Sequence, residues 1–388
     1  MLLKQQDIRF DILKSIGIIC IVLAHTMPRD ILLFQLRNFD VPLMVLVSGS
    51  LFYLSSKKAN ISYTKYLKKR LFRLVPPVWL FLTLFFLLTY LTSQVMGIEY
   101  QYSLQQIVNT YLCIDFKLYG VWYTWIIRVF ALISLIAPLI LGLWQRFTNK
   151  MGFFLIILGI YSGYELLYKV LGYKNSFNIL KNSNINPFIQ QLIISIYHIS
   201  INQILFYVLP YGCLFGLGIL AINLNRKDLL KMLLFFLGIF ITLSILYSLN
   251  SSSLLDVFDF QKYKYPPRIY YIAYSLVIWA SLYLSLTEFL ELDKIDDSNP
   301  LKYNFARLFV FISSSTMWIY LWHILVLHYW SIVLHLFQIP NSTFLSFTIV
   351  FSLSVIITAL QKFLIANLIR RTVFGTNYSS LLTTFFMK

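Results

Sequence analysis

Apolar runs of about twenty residues, each long enough to cross a bilayer, recur along the whole of this 388-residue chain. Inside hydrocarbon every backbone N–H and C=O must find a partner within the protein, so such runs become helices. They fall near 12–28, 39–55, 74–96, 121–144, 151–170, 203–223, 229–248, 268–287, 307–330 and 343–369. The expected fold is therefore an all-α integral membrane protein with about ten transmembrane helices and no separate soluble domain. A further apolar stretch, 188–202, reads as a re-entrant or interfacial segment and leaves the count open by one or two. One membrane-embedded domain is expected over 1–370, followed by a short cytoplasmic tail over 371–388. With 59% of residues hydrophobic and only 12% charged, a soluble fold is excluded.

The net charge of +17 is carried in short clusters between the apolar runs, which argues for membrane orientation and against a nucleic-acid partner. Lys57, Lys58, Lys65, Lys68, Lys69, Arg70 and Arg73 sit together without an acid between them. Positive loops stay cytoplasmic, and Arg146 with Lys150, Arg226 with Lys227 and Arg370 with Arg371 fall on the same side, so both termini are expected in the cytoplasm. The N-terminal segment lacks a small-x-small cleavage site and reads as an uncleaved first helix. Cys20, Cys113 and Cys213 are far apart, without metal-ligand spacing, and no metal site is expected.

Candidate chemistry begins on the first run. Lys14 and His25 are eleven residues apart, which returns to nearly the same helix face about 16 Å higher, with Asp11 near that stripe. The face would carry an ion pair low down and an imidazole high up. Lys14 reads either as a cation snorkelling to the headgroups or as one facing a cavity. His25 reads either as a hydrogen-bonded packing residue or as an acid–base group. Arg70 and Arg73, at i and i+3, can converge on one phosphate or can simply set topology. Arg128 lies inside the fourth run, and Glu165, the one acid well inside a run, is a possible partner for it or a proton-handling group. In Trp318-Ile-Tyr320-Leu-Trp322-His323, His323 could line the same cavity as His25 or belong to an aromatic belt with His328 and His335. The outer loops carry Asp256, Asp259, Tyr263 and Tyr265, with Asp40 at the outer end of the second run. There is no phosphate-binding glycine loop and no GxSxG elbow.

Taken in order, these pieces resemble the integral membrane acyltransferase family 3, which O-acetylates polysaccharide, lipopolysaccharide and peptidoglycan in bacteria. The carrying motifs are Lys14-x10-His25 preceded by Asp11, Val41-Pro42-Leu43 leading to Ser48-Gly49, Arg70-x-x-Arg73 before Pro76, Trp122-Tyr123, and Tyr320-Leu-Trp-His323. The resemblance covers nearly the whole chain. It implies a bacterial multi-pass enzyme that takes an acyl group from cytoplasmic acyl-CoA, commonly acetyl-CoA, and delivers it to a glycan or glycolipid acceptor outside. It further implies that His25 is the essential histidine, Lys14 its basic partner, and Arg70 with Arg73 the cytoplasmic pair that binds the donor. The family more often has Arg where this chain has Lys14. No fused soluble domain is expected to relay the acyl group. Readings from other classes are a glycolipid flippase, with His25, Arg128 and Glu165 lining a translocation path, and a polysaccharide polymerase, which usually shows a larger outer loop.

Overall fold

The computed structural model describes residues 7–29, 31–58, 62–112, 122–147, 149–171, 201, 204–249, 251, 253–289, 300–340 and 342–387. In chain order the principal helices are α1 (Ile8–Thr26), α2 (Asp40–Lys58), α3 (Tyr63–Met96), α4 (Leu104–Tyr111), α5 (Trp125–Arg146) and α6 (Lys150–Leu171). There follow α7 (Phe206–Ala221), α8 (Arg226–Ser248), α9 (Ile269–Phe289), α10 (Pro300–Ser314), α11 (Thr316–Leu336) and α12 (Thr343–Arg371). The described residues contain no strand.

Among the described residues, 8 helices are long and apolar enough to cross a membrane. The other two of the expected runs are also helical. They are α1, whose 19 residues include Arg9, Asp11 and Lys14, and α7, whose 16 residues are almost all buried. The stretch 188–202, apart from Ile201, lies outside the described residues, as does Cys113. The basic cluster expected before the third span is part of it: α3 runs for 34 residues from Tyr63 and passes through Pro76 and Pro77.

One expected element divides. The run 307–330 is not a single helix, because α10 stops at Ser314 and α11 starts at Thr316. Short hydroxyl side chains cluster at the break and bond to nearby backbone. Ser314 Oγ donates to the Phe311 carbonyl at 3.0 Å, and Thr316 Oγ1 donates to the Ser313 carbonyl at 3.4 Å. The break frees carbonyls within an apolar run, where each needs a donor from elsewhere in the protein.

The chain divides into two compact units. The first comprises Met1–Phe34, Ile61–Ala131 and Glu291–Lys388. In it α1 packs on α10, α11 and α12, burying Leu13, Ile18, Ile21 and Val22. Ser15 is buried at the crossing and donates to the Phe309 carbonyl at 3.1 Å. The tail segment expected over 371–388 folds back as short helical turns. Trp318 Nε1 and Gln361 Nε2 donate to the carbonyls of Phe385 and Phe386, each at 2.9 Å, and the Phe386 ring stacks on Trp318.

The second unit comprises Gln35–Asn60 and Leu132–Leu290. Its α2 and α7 cross closely at Gly49 and Gly218. A Cβ on Gly49 would overlap the Phe215 carbonyl, and one on Gly218 the Leu46 carbonyl. Small residues let helix backbones approach this way in membranes. Ser50 Oγ closes the crossing with a 2.8 Å bond to the Gly218 carbonyl.

Candidate functional site

In the first unit His25 sits in the last turn of α1, where it lines a cavity of about 610 Å³ with Phe85, Tyr102, Tyr123, His328 and Trp330. Three other elements set this wall. α11 presents His328 and Trp330, the segment before α4 presents Gln101 and Tyr102, and the 3-10 turn Trp122–Thr124 presents Tyr123. Trp330 is itself held by a 2.9 Å bond from its Nε1 to Ser346 Oγ on α12. Burial pushes the Tyr102 phenol up to about 12, with Tyr100 and Tyr123 adding to the shift, so Tyr102 keeps its proton and can donate at neutral pH.

The His25 ring is held between two aromatic neighbours. Tyr123 meets it edge-on with ring centroids 4.4 Å apart. His323 stacks on it at 5.2 Å with 29° between the planes. His323 does not line the cavity as expected. It is fully buried behind His25, and the histidine that reaches the cavity wall is His328, five residues further along α11. Tyr320 supports both neighbours: its hydroxyl bonds to the Tyr123 carbonyl, and its own carbonyl bonds His323 Nδ1.

About three turns lower on α1, Asp11 and Lys14 meet the break between α10 and α11. They do not form the direct ion pair expected from their spacing. Ser313 stands between them: its Oγ donates to Asp11 at 2.5 Å, and its carbonyl accepts from Lys14 Nζ at 2.6 Å. Arg9 pairs instead with Asp7, at 2.6 Å. Lys362 of α12 bonds the next carbonyl, that of Ser314, at 3.3 Å. The carbonyls freed by the interrupted helix thus hold two ammonium groups.

Arg70 and Arg73 of α3 belong to the same cluster. The charge of Lys14 is opposed by Arg73, Arg70 and Lys362 and partly balanced by Asp11. The two arginines are half-buried, whereas Lys65, Lys68 and Lys69 around them are exposed. Topology alone does not require that difference. Four cations drawn together in one unit repel each other and suit a polyanionic ligand such as a phosphate ester.

The family model of acyltransferase family 3, described as an acyltransferase domain, matches residues 7–360. This chain belongs to that family. No curated protein and no solved structure matches it. It is a multi-pass membrane acyltransferase, and its matched region contains His25, Lys14, Arg70 and Arg73, with Lys362 two residues beyond it.

In this acyltransferase the remaining candidates take other roles. Glu165 is not paired with Arg128. It lies in the second unit, where it accepts from Arg268 Nε at 2.7 Å, from the Ile269 backbone N–H at 2.7 Å and from Tyr161 at 3.3 Å. That arrangement anchors the start of α9. Arg128 is half-buried in the first turn of α5, because a 3-10 turn and not α-helix covers Trp122–Thr124. Asp40 is buried between Arg37 at 2.6 Å and Lys264 at 3.1 Å, a structural role in the second unit. Sequence reasoning missed Lys362, Arg268 and the cavity position of His328.

Proposed function

We propose that this protein moves an acetyl group from cytoplasmic acetyl-CoA to a hydroxyl of a cell-surface or exported glycan, across a bacterial cell membrane with both termini inside. The observation that carries the reading is the combination in one unit of a four-cation cluster at one level of α1 and an imidazole-lined cavity at the other.

Arg70, Arg73, Lys14 and Lys362 fit the phosphates of a CoA donor. Arginine forks match phosphate geometry, and the two lysines add point charges already oriented by backbone carbonyls. Lys14 also ties α1 to the α10–α11 break, so the donor end of the site is held at a fixed height below His25.

His25 in its neutral form accepts the proton of the acceptor hydroxyl as that oxygen attacks the thioester carbonyl carbon. The C–S bond then breaks, the acyl group leaves on the acceptor oxygen, and the CoA thiolate takes the proton from His25. Aromatic and polar side chains of the cavity wall, Tyr102, Tyr123 and Trp330 among them, suit a sugar ring and its hydroxyls.

The test is transfer of radiolabel from acetyl-CoA to envelope glycan by membranes containing the wild type or His25→Ala. Transfer that depends on His25 supports the reading. Equal transfer by both proteins, or label left wholly on CoA by the wild type, rejects it.

A further inference from the structure

His323 is buried to 0% exposure, and its two ring nitrogens are in different situations. Nδ1 meets the Tyr320 carbonyl. A carbonyl only accepts, so Nδ1 carries the hydrogen and Nε2 of the neutral ring is a bare acceptor. That Nε2 is buried and has no hydrogen-bond partner among the described residues. Burying an acceptor unpaired costs free energy, and this one lies beside the His25 ring.

The neighbour able to use it is His25. The rings stack at 5.2 Å, and the Tyr123 edge on the other contact of His25 limits where that ring can move. When His25 takes a proton it gains a second N–H, and His323 Nε2 can accept from it once the His25 ring turns out of the stack toward the His323 plane, where the Nε2 lone pair lies.

We propose that His323 is a positioning residue for His25: a neutral imidazole, fixed in one tautomer by Tyr320, that stabilises the imidazolium formed while the acceptor oxygen attacks. His323 exchanges no proton in the cycle. The proton goes from the acceptor hydroxyl to His25 and from His25 to the leaving thiolate. The tautomer matters because the opposite one would turn an N–H toward the charge it must stabilise. This inference rests on the reading of His25 as general base.

The experiment compares kcat and donor KM for the wild type, His323→Phe and His323→Gln, with His25→Ala as the inactive reference. Phe keeps a ring of similar size and the stacking contact but has no Nε2; Gln restores an acceptor without a ring. The expected result is a kcat lowered about 10- to 100-fold by H323F with donor KM unchanged, and partial recovery with H323Q. A packing role alone predicts that H323F behaves like the wild type, and that result overturns the inference while leaving acyl transfer by His25 intact. A wild type that transfers no acyl group overturns the functional reading and this inference together. Should H323F fail to insert, 15N-histidine labelling of the wild type still decides. One protonated and one bare nitrogen on His323 are expected while His25 titrates, and a protonated Nε2 on neutral His323 contradicts the proposal.

Discussion

The two units handle charge inside an apolar protein in opposite ways. In the second, buried charges meet opposite charges: Asp40 lies between Arg37 and Lys264, and Glu165 holds Arg268 together with the first N–H of α9. In the first, Lys14 and Lys362 are held by neutral backbone carbonyls, and Arg70 and Arg73 crowd toward them with the same sign. Paired charges stabilise a fold and leave little for a ligand. Like charges gathered on carbonyls are a standing cost that an anion relieves, and in the proposed function the CoA phosphates are that anion.

The comparison can be broken most severely in the second unit. Replacing Asp40 by Ala leaves Arg37 and Lys264 buried without their carboxylate, which is expected to cost about 3–5 kcal/mol. Thermal unfolding in detergent should show a large drop in Tm, and an unchanged Tm would mean that the pairing is not structural. In the first unit the effect should be on binding. Changing Arg70 and Arg73 together to Ala is expected to weaken acetyl-CoA binding about 100-fold, or about 2.7 kcal/mol, and to flatten its salt dependence. Calorimetry on correctly inserted protein would check this, and normal affinity with altered topology would return the arginines to an orienting role. A smaller effect sharpens the fold side. Gly49→Ala pushes a methyl into the Phe215 carbonyl and should cost about 1–3 kcal/mol, read as a lower Tm with donor affinity kept.

The helices were legible in the sequence because hydrocarbon leaves the backbone few alternatives, and each of the ten apolar runs is helical over most of its described length, 307–330 as two helices. The Lys14 and His25 face was legible for the same reason: a fixed helical rise sets their separation before any tertiary contact forms. Partnership was not legible. Lys14 finds its carbonyl 299 residues away, and Glu165 finds Arg268 103 residues away, in each case through packing that no local pattern encodes. The α10–α11 break was concealed because Ser and Thr are tolerated in membrane helices, and only the surrounding lysines make the freed carbonyls affordable. His323 and His328 were both visible as histidines on one run. Which of them faces the cavity depends on the rotation of α11 against α1, a tertiary quantity.

The central claim is that the first unit's histidine does chemistry while the second unit's carboxylate holds structure. Measuring label transfer per inserted molecule and Tm on the same preparations of His25→Ala and Glu165→Gln tests it most directly. The account predicts that H25A loses at least about 100-fold in transfer at unchanged Tm, and that E165Q lowers Tm while each folded molecule transfers normally. Transfer retained by H25A, with transfer lost in a fully folded E165Q, would contradict it.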